Sequence, residues 1–227
     1  CISAHLEGAS KGGADLRYGT QVSDWEKDGD GVTVYTNSGD ARAAKLLITA
    51  GAWLPGLVSE LSLPIEVARQ VSFWFEPAAN PGVFDADRCP IYIWEYELDR
   101  AFYGFPNLGG GIKIAHHHEG RVVDPDSLDR EMVTDEDEQM LRSPLSRMMP
   151  DAVGRVIRSG VCMYTNTPDQ HYAIGFHPEN PSVLIASPCS GHGFKMSSAL
   201  GESFAELLLD GESRYDLSPF ALDRLLT

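Results

Sequence analysis

The chain has 227 residues, enough to bury a sizeable core in one or two domains. With 43% hydrophobic and 22% charged residues it reads as globular rather than disordered. A net charge of −15 argues against nucleic acid or an anionic membrane surface as a partner, and no apolar run approaches the roughly 20 residues of a transmembrane helix. Cys1, Cys89, Cys162 and Cys189 form neither a zinc pattern nor a CxxC pair. No signal-peptide pattern opens the chain, so reduced thiols and a cytoplasmic location are expected.

Residues 1–6 carry apolar positions at helical spacing with no initiator Met and no N-cap ahead of them. The chain is therefore expected to begin inside a longer protein. Residues 16–22 and 32–36 read as strands, the second entered through the turn Asp28-Gly29-Asp30-Gly31. Residues 45–53 form a continuous apolar run ending in Ala50-Gly51-Ala52. That pattern suits a strand buried on both faces of a parallel sheet, whose small terminal residues let a ligand approach the backbone.

Residues 67–75, 91–96, 101–105 and 111–117 are rich in aromatic and β-branched side chains and predict an antiparallel sheet. Residues 127–149 are polar and helical in character, with Asp135-Glu136-Asp137-Glu138 as a solvated charge run. Strands are predicted again at 156–164 and 182–187. A helix follows at 195–209, with Gly211 just past its end. The fold class is α/β plus an antiparallel sheet. Residues 1–66 and 165–227 are assigned to a Rossmann-like nucleotide-binding domain, and 67–164 to an inserted substrate-side sheet.

Two segments stand out near the C-terminus. One is Cys162-Met163-Tyr164-Thr165 followed by Thr167-Pro168-Asp169. The other is Ser190-Gly191-His192-Gly193-Phe194-Lys195, at the start of a helix. Taken alone, Cys162 is a small buried hydrophobe and the second segment a glycine-rich loop. Glycines at a strand–helix junction let the backbone approach a planar ring, and a helix N-terminus favours negative charge nearby. A third segment is Tyr103-Gly104-Phe105-Pro106, a glycine-rich turn and Lys113.

Together these segments resemble the monomeric sarcosine oxidase family of FAD-dependent amine oxidases, which includes N-methyltryptophan oxidases. The resemblance implies oxidation of an N-substituted amino acid to an imine, hydrolysed to amine and aldehyde, with O2 reduced to hydrogen peroxide. It implies that Cys162 is bonded to the flavin, that Lys195 binds the substrate carboxylate and that Lys113 sits over the flavin and assists O2. A fixed positive charge suits that last task by electrostatic preorganisation. It also implies that Tyr103, His117 and His192 lie near flavin and substrate, and that Met163, Tyr164, Gly191, Gly193 and Phe194 line the cofactor. Val22 and Gly51 would face its nucleotide end.

His116, His117 and His118 suggest a metal, but alternation on a strand points His117 away from the other two and no further ligand stands at usable spacing. Cys189 beside Ser190 lacks a Gly-x-Ser-x-Gly elbow and reads as a packing residue. No Gly-x-Gly-x-x-Gly occurs anywhere in the chain. The resemblance places that fingerprint, which seats the FAD pyrophosphate, in an N-terminal segment preceding these residues. An amino-acid dehydrogenase using another electron acceptor, and a truncated non-catalytic fragment, are the alternative readings.

Overall fold

A computed structural model of the chain describes residues 1–226. Helix α1 (Ile2–Lys11) is followed by strands β1 (Val22–Asp28), β2 (Gly31–Thr36), β3 (Ala41–Ala43) and β4 (Leu46–Ile48), and then by the short helix α2 (Leu54–Leu57). Strands β5 (Glu66–Phe75), β6 (Tyr92–Glu97), β7 (Arg100–Phe105) and β8 (Ile112–His117) precede helix α3 (Asp135–Met148). Strands β9 (Val156–Asn166), β10 (Ala173–His177) and β11 (Asn180–Ser187) lead into helix α4 (Ser197–Asp210).

These strands make three sheets. The antiparallel β1-β2-β3 sheet starts from a hairpin in which Asp28 pairs with Gly31. Gly29 takes a positive φ at its tip, and any Cβ on Gly31 would stand 2.4 Å from the Ala43 carbonyl oxygen. The second sheet has the order β10-β11-β4, with β4 parallel to β11. The third is antiparallel, five-stranded and ordered β6-β7-β8-β5-β9.

Two of the sheets are covered by helices whose apolar stripes match them, and the third shares a core with its neighbour. Phe73, Phe75, Phe102, Ile112 and Ile114 of the five-stranded sheet pack against Leu141 and Leu145 of α3. Leu200 and Phe204 of α4 pack on Ile174, Leu184 and Ala186. Val32, Ile48, Leu54 and Ile185 join the two smaller sheets. Helix α1 buries no residue.

Three sequence expectations need correction, and one strand was not expected. The strand expected at 16–22 begins only at Val22, because Gly19 turns the chain with φ +66°. The long buried strand expected at 45–53 is three residues at a sheet edge. Gly51, at φ +55°, diverts the chain into a 3-10 turn. The helix expected at 127–149 starts at Asp135, where Thr134 accepts from the Asp137 amide and the Asp137 carboxylate accepts from the Thr134 amide. Strand β10 has no counterpart among the predicted elements; its antiparallel pairing with β11 defines it.

Candidate active site

Cross-strand register decides which side chains share a face. Lys113 of β8 pairs with Trp74 of β5 and Phe105 of β7. Cys162 and Tyr164 of β9 pair with Gln70 and Ala68 of β5. Side chains alternate along each strand. Lys113, His117, Tyr103, Cys162 and Tyr164 therefore lie on one face of the five-stranded sheet, and α3 covers the other. Met163 pairs with Arg69 and points to the α3 face, so only its main chain borders the site.

The Lys113 ammonium sits 5.3 Å from the Trp74 ring centre, 5.4 Å from Phe105 and 5.9 Å from Tyr103. These rings attract the cation and restrict where it can move. Cys162 is half-buried. Burial pushes its thiol up, while the charges of Lys113 and Arg130 pull the other way. The thiol thus stays protonated at neutral pH, with a nearby cation to favour the thiolate when it forms.

His117 is ringed by aromatic side chains. Its ring centre lies 6.0 Å from Tyr103 and 5.8 Å from Tyr164. Nδ1 stands 3.4 Å from the Tyr164 hydroxyl, which is long for a hydrogen bond. Burial first, then His192 and Lys195, lower its pKa, so His117 is neutral at pH 7. The loop after β11 reaches the same neighbourhood, because Gly191 packs against the ring of Tyr164, the neighbour of His117.

That loop is held from both ends. The buried Ser190, at φ +44°, donates its amide to Thr165 O at 2.9 Å and its hydroxyl to His171 O at 3.0 Å. Gly191 and Gly193 are required by the chain itself. A Cβ on Gly191 would stand 2.4 Å from the Tyr164 ring, and one on Gly193 1.6 Å from the Pro188 carbonyl oxygen. His192 Nε2 lies 3.0 Å from Gln170 O and Nδ1 3.2 Å from the Tyr172 hydroxyl. Carbonyl oxygens only accept, so Nε2 carries the proton and Nδ1 accepts from tyrosine. Both ring nitrogens are thus engaged within the chain. Lys195 donates to His192 O at 2.8 Å from an exposed position, and Phe194 is 63% exposed.

The structure splits the histidine trio differently from strand alternation. His116 lies on the α3 face, bonded to Glu119 at 3.0 Å. His118 lies beside His117, with ring centres 4.2 Å apart. Its φ of +60° ends the strand pattern there. The sequence motifs include Ser190 and the 116–118 trio but assign neither Ser190 nor His118 a place at the site. The backbone conformation that places each is not written in its residue type.

Two cavities flank this arrangement. An apolar cleft of about 340 Å³ is lined by Val22, Trp25, Leu46, Ala50 and Trp53. It brings Val22 and Ala50 together, while Gly51 does not line it. The larger cavity, about 790 Å³, opens on the α3 face around Arg69, His116, Glu119 and Asp137. It is separated from Cys162 by the sheet.

Residues 2–207 match the FAD dependent oxidoreductase family, and the chain belongs to it. Among its relatives is the monomeric sarcosine oxidase of Streptomyces avermitilis, 39% identical over 99% of this chain and 59% of its own length. The N-methyl-L-tryptophan oxidase of Salmonella dublin is 31% identical over 98% of this chain and 59% of its own. The crystal structure of L-proline dehydrogenase from P. horikoshii superimposes with a TM-score of 0.81 at 24% identity, covering 98% of this chain and 58% of that one. The likeness at that identity is one of fold. The chain thus spans less than two thirds of the length of these relatives.

Proposed function

We propose that this chain forms the flavin-ring and substrate side of an FAD-dependent oxidase acting on a secondary, N-methyl amino acid such as sarcosine. The observation that carries this is the convergence of Cys162, Lys113, Tyr103 and His117 on one sheet face, with the loop that carries Lys195 packed through Gly191 against Tyr164 of that face. The relatives named for sarcosine and N-methyl-L-tryptophan oxidation support the substrate class.

The residues fit a planar cofactor. A Cβ built on Gly160, two residues before Cys162 and on the same face, meets nothing within 4 Å, so that face is open beside the thiol. Cys162 Sγ would tether the flavin covalently, and Tyr164, Gly191, Gly193, Phe194 and the Met163 main chain would border it. Val22 and Gly51 would serve its nucleotide end. FAD, when bound, would take a hydride equivalent from the substrate carbon next to nitrogen, leaving an imine, and would hand the two electrons to O2, which with two protons gives hydrogen peroxide.

The chain's own residues have separable tasks. Lys195 would hold the substrate carboxylate as a point charge. Neutral His117 would take the ammonium proton at Nε2, since a protonated amine has no lone pair with which to form the imine. Lys113 would keep a positive charge where O2 is reduced. Tyr103 would wall the substrate beside His117, and His192 would hold the loop that carries Lys195.

The division into residues 67–164 as substrate sheet, and 1–66 with 165–227 as FAD-binding domain, belongs to the same proposal. So do a cytoplasmic location and an N-terminal partner segment bearing the Gly-x-Gly-x-x-Gly fingerprint. The decisive measurement is flavin retention. Protein containing this chain and such a segment should keep its yellow colour after acid precipitation, and C162S should release free FAD. Free FAD from the parent protein overturns the tether. Substrate turnover without peroxide under air points to another electron acceptor.

A further inference from the structure

His118 is the member of the 116–118 trio that breaks strand alternation. Regular pleating would place it on the α3 face with His116. Its φ of +60°, immediately after β8 ends at His117, swings the ring back to the site face instead. There its centre lies 4.2 Å from His117 at an interplanar angle of 64°, and 5.2 Å from Tyr164 at 69°. Both contacts are edge-on, the geometry that ring quadrupoles prefer. Tyr164 is itself pressed against Gly191, where a Cβ would stand 2.4 Å from its ring. His118 thus closes a chain of contacts running from the end of β8, through β9, to the loop that carries Lys195.

Two local costs accompany this placement. A non-glycine residue is uncommon in left-handed backbone, although histidine enters it more readily than most, and an imidazole is half-buried among other rings. Costs of this kind persist where the surrounding structure holds them in place, and they cluster at functional sites.

We propose that His118 is a positioning residue of the active site, its ring wedged against His117 and Tyr164 so that both keep one orientation. The catalytic consequence rests on the oxidase reading above; the wedge itself does not. Asparagine adopts left-handed backbone readily but has no ring, so H118N separates the backbone role from the wedge. In this chain, H118N should keep its thermal midpoint while the ring resonances of His117 and Tyr164 shift and broaden in NMR spectra. His117 should then titrate closer to an ordinary histidine. In the flavin-loaded enzyme, kcat for an N-methyl amino acid should fall about ten- to a hundredfold with a smaller change in KM, as expected when a reacting group is misplaced. H118F, which restores a ring, should recover the Tyr164 resonances.

Unchanged His117 and Tyr164 resonances in H118N overturn the proposal. If the parent enzyme oxidises no N-methyl amino acid, the oxidase reading falls while the NMR comparison still decides the wedge. Should H118N fail to fold, H118G, which adopts this backbone without strain, tests the wedge through the same resonances: shifted signals support it and unchanged signals overturn it.

Discussion

Gly193 shows how one residue type can be fixed by packing alone. Its φ of −75° is open to any side chain, yet a Cβ there would stand 1.6 Å from the Pro188 carbonyl oxygen. A backbone atom cannot rotate away, so the loop must move. G193A should destabilise the chain by about 2 kcal/mol, measurable as a lowered urea midpoint with an unchanged m-value. His118 supplies the pH counterpart. Burial, then His117 and His192, lower its pKa from 6.5 to about 4. The unfolded chain takes up that proton first as pH falls. This part of the stability is complete above pH 6.5 and is lost as pH drops toward 4. Urea unfolding at a series of pH values across that window should show the decline, and H118N should flatten it.

Helix α3 is set by its first turn. The Asp137 carboxylate accepts from the Thr134 amide and also takes Arg69 in two hydrogen bonds of 2.6 and 2.9 Å. Burial alone would raise its pKa, but Arg69 and Thr134 outweigh it and hold the group at about 2. This contribution is therefore present above the ordinary carboxylate range and lost only as pH falls toward 2. D137A removes the cap and strands a largely buried guanidinium. It should cost about 3 kcal/mol and lower helix content by circular dichroism before global unfolding.

Asp137 was not legible in this role: it reads as part of the solvated charge run Asp135–Glu138, yet it caps the helix and pairs with the buried Arg69, a residue 68 positions away. Strand β10 was hidden for a different reason. Ala173–His177 is short and contains Gly175, and only its pairing with β11 and the close approach of Leu222 to that glycine define it. Four strands of the five-stranded sheet were legible from their aromatic and β-branched side chains. Lys113, Tyr103 and Cys162 could be named from local motifs, but their shared face depends on register between strands far apart in sequence.

At the scale of the whole molecule, the apolar cleft around Val22, Trp25, Leu46 and Trp53 stays open, and Trp53 is 45% exposed. If the proposed N-terminal segment completes the FAD-binding domain here, mixing it with this chain should shift tryptophan emission to the blue. W53F should reduce that shift.

Strand β4 lies at the edge of its sheet, bonded to β11 on one side only. An unpaired edge beside an apolar cleft is a template on which a second chain can add a strand. What opposes this in the isolated chain is its net charge of −15, and charge repulsion works only while it is felt at a distance. At physiological ionic strength the screening length is about 8 Å. The solution behaviour of the chain should therefore turn on salt, with light scattering low in dilute buffer and rising as sodium chloride is added.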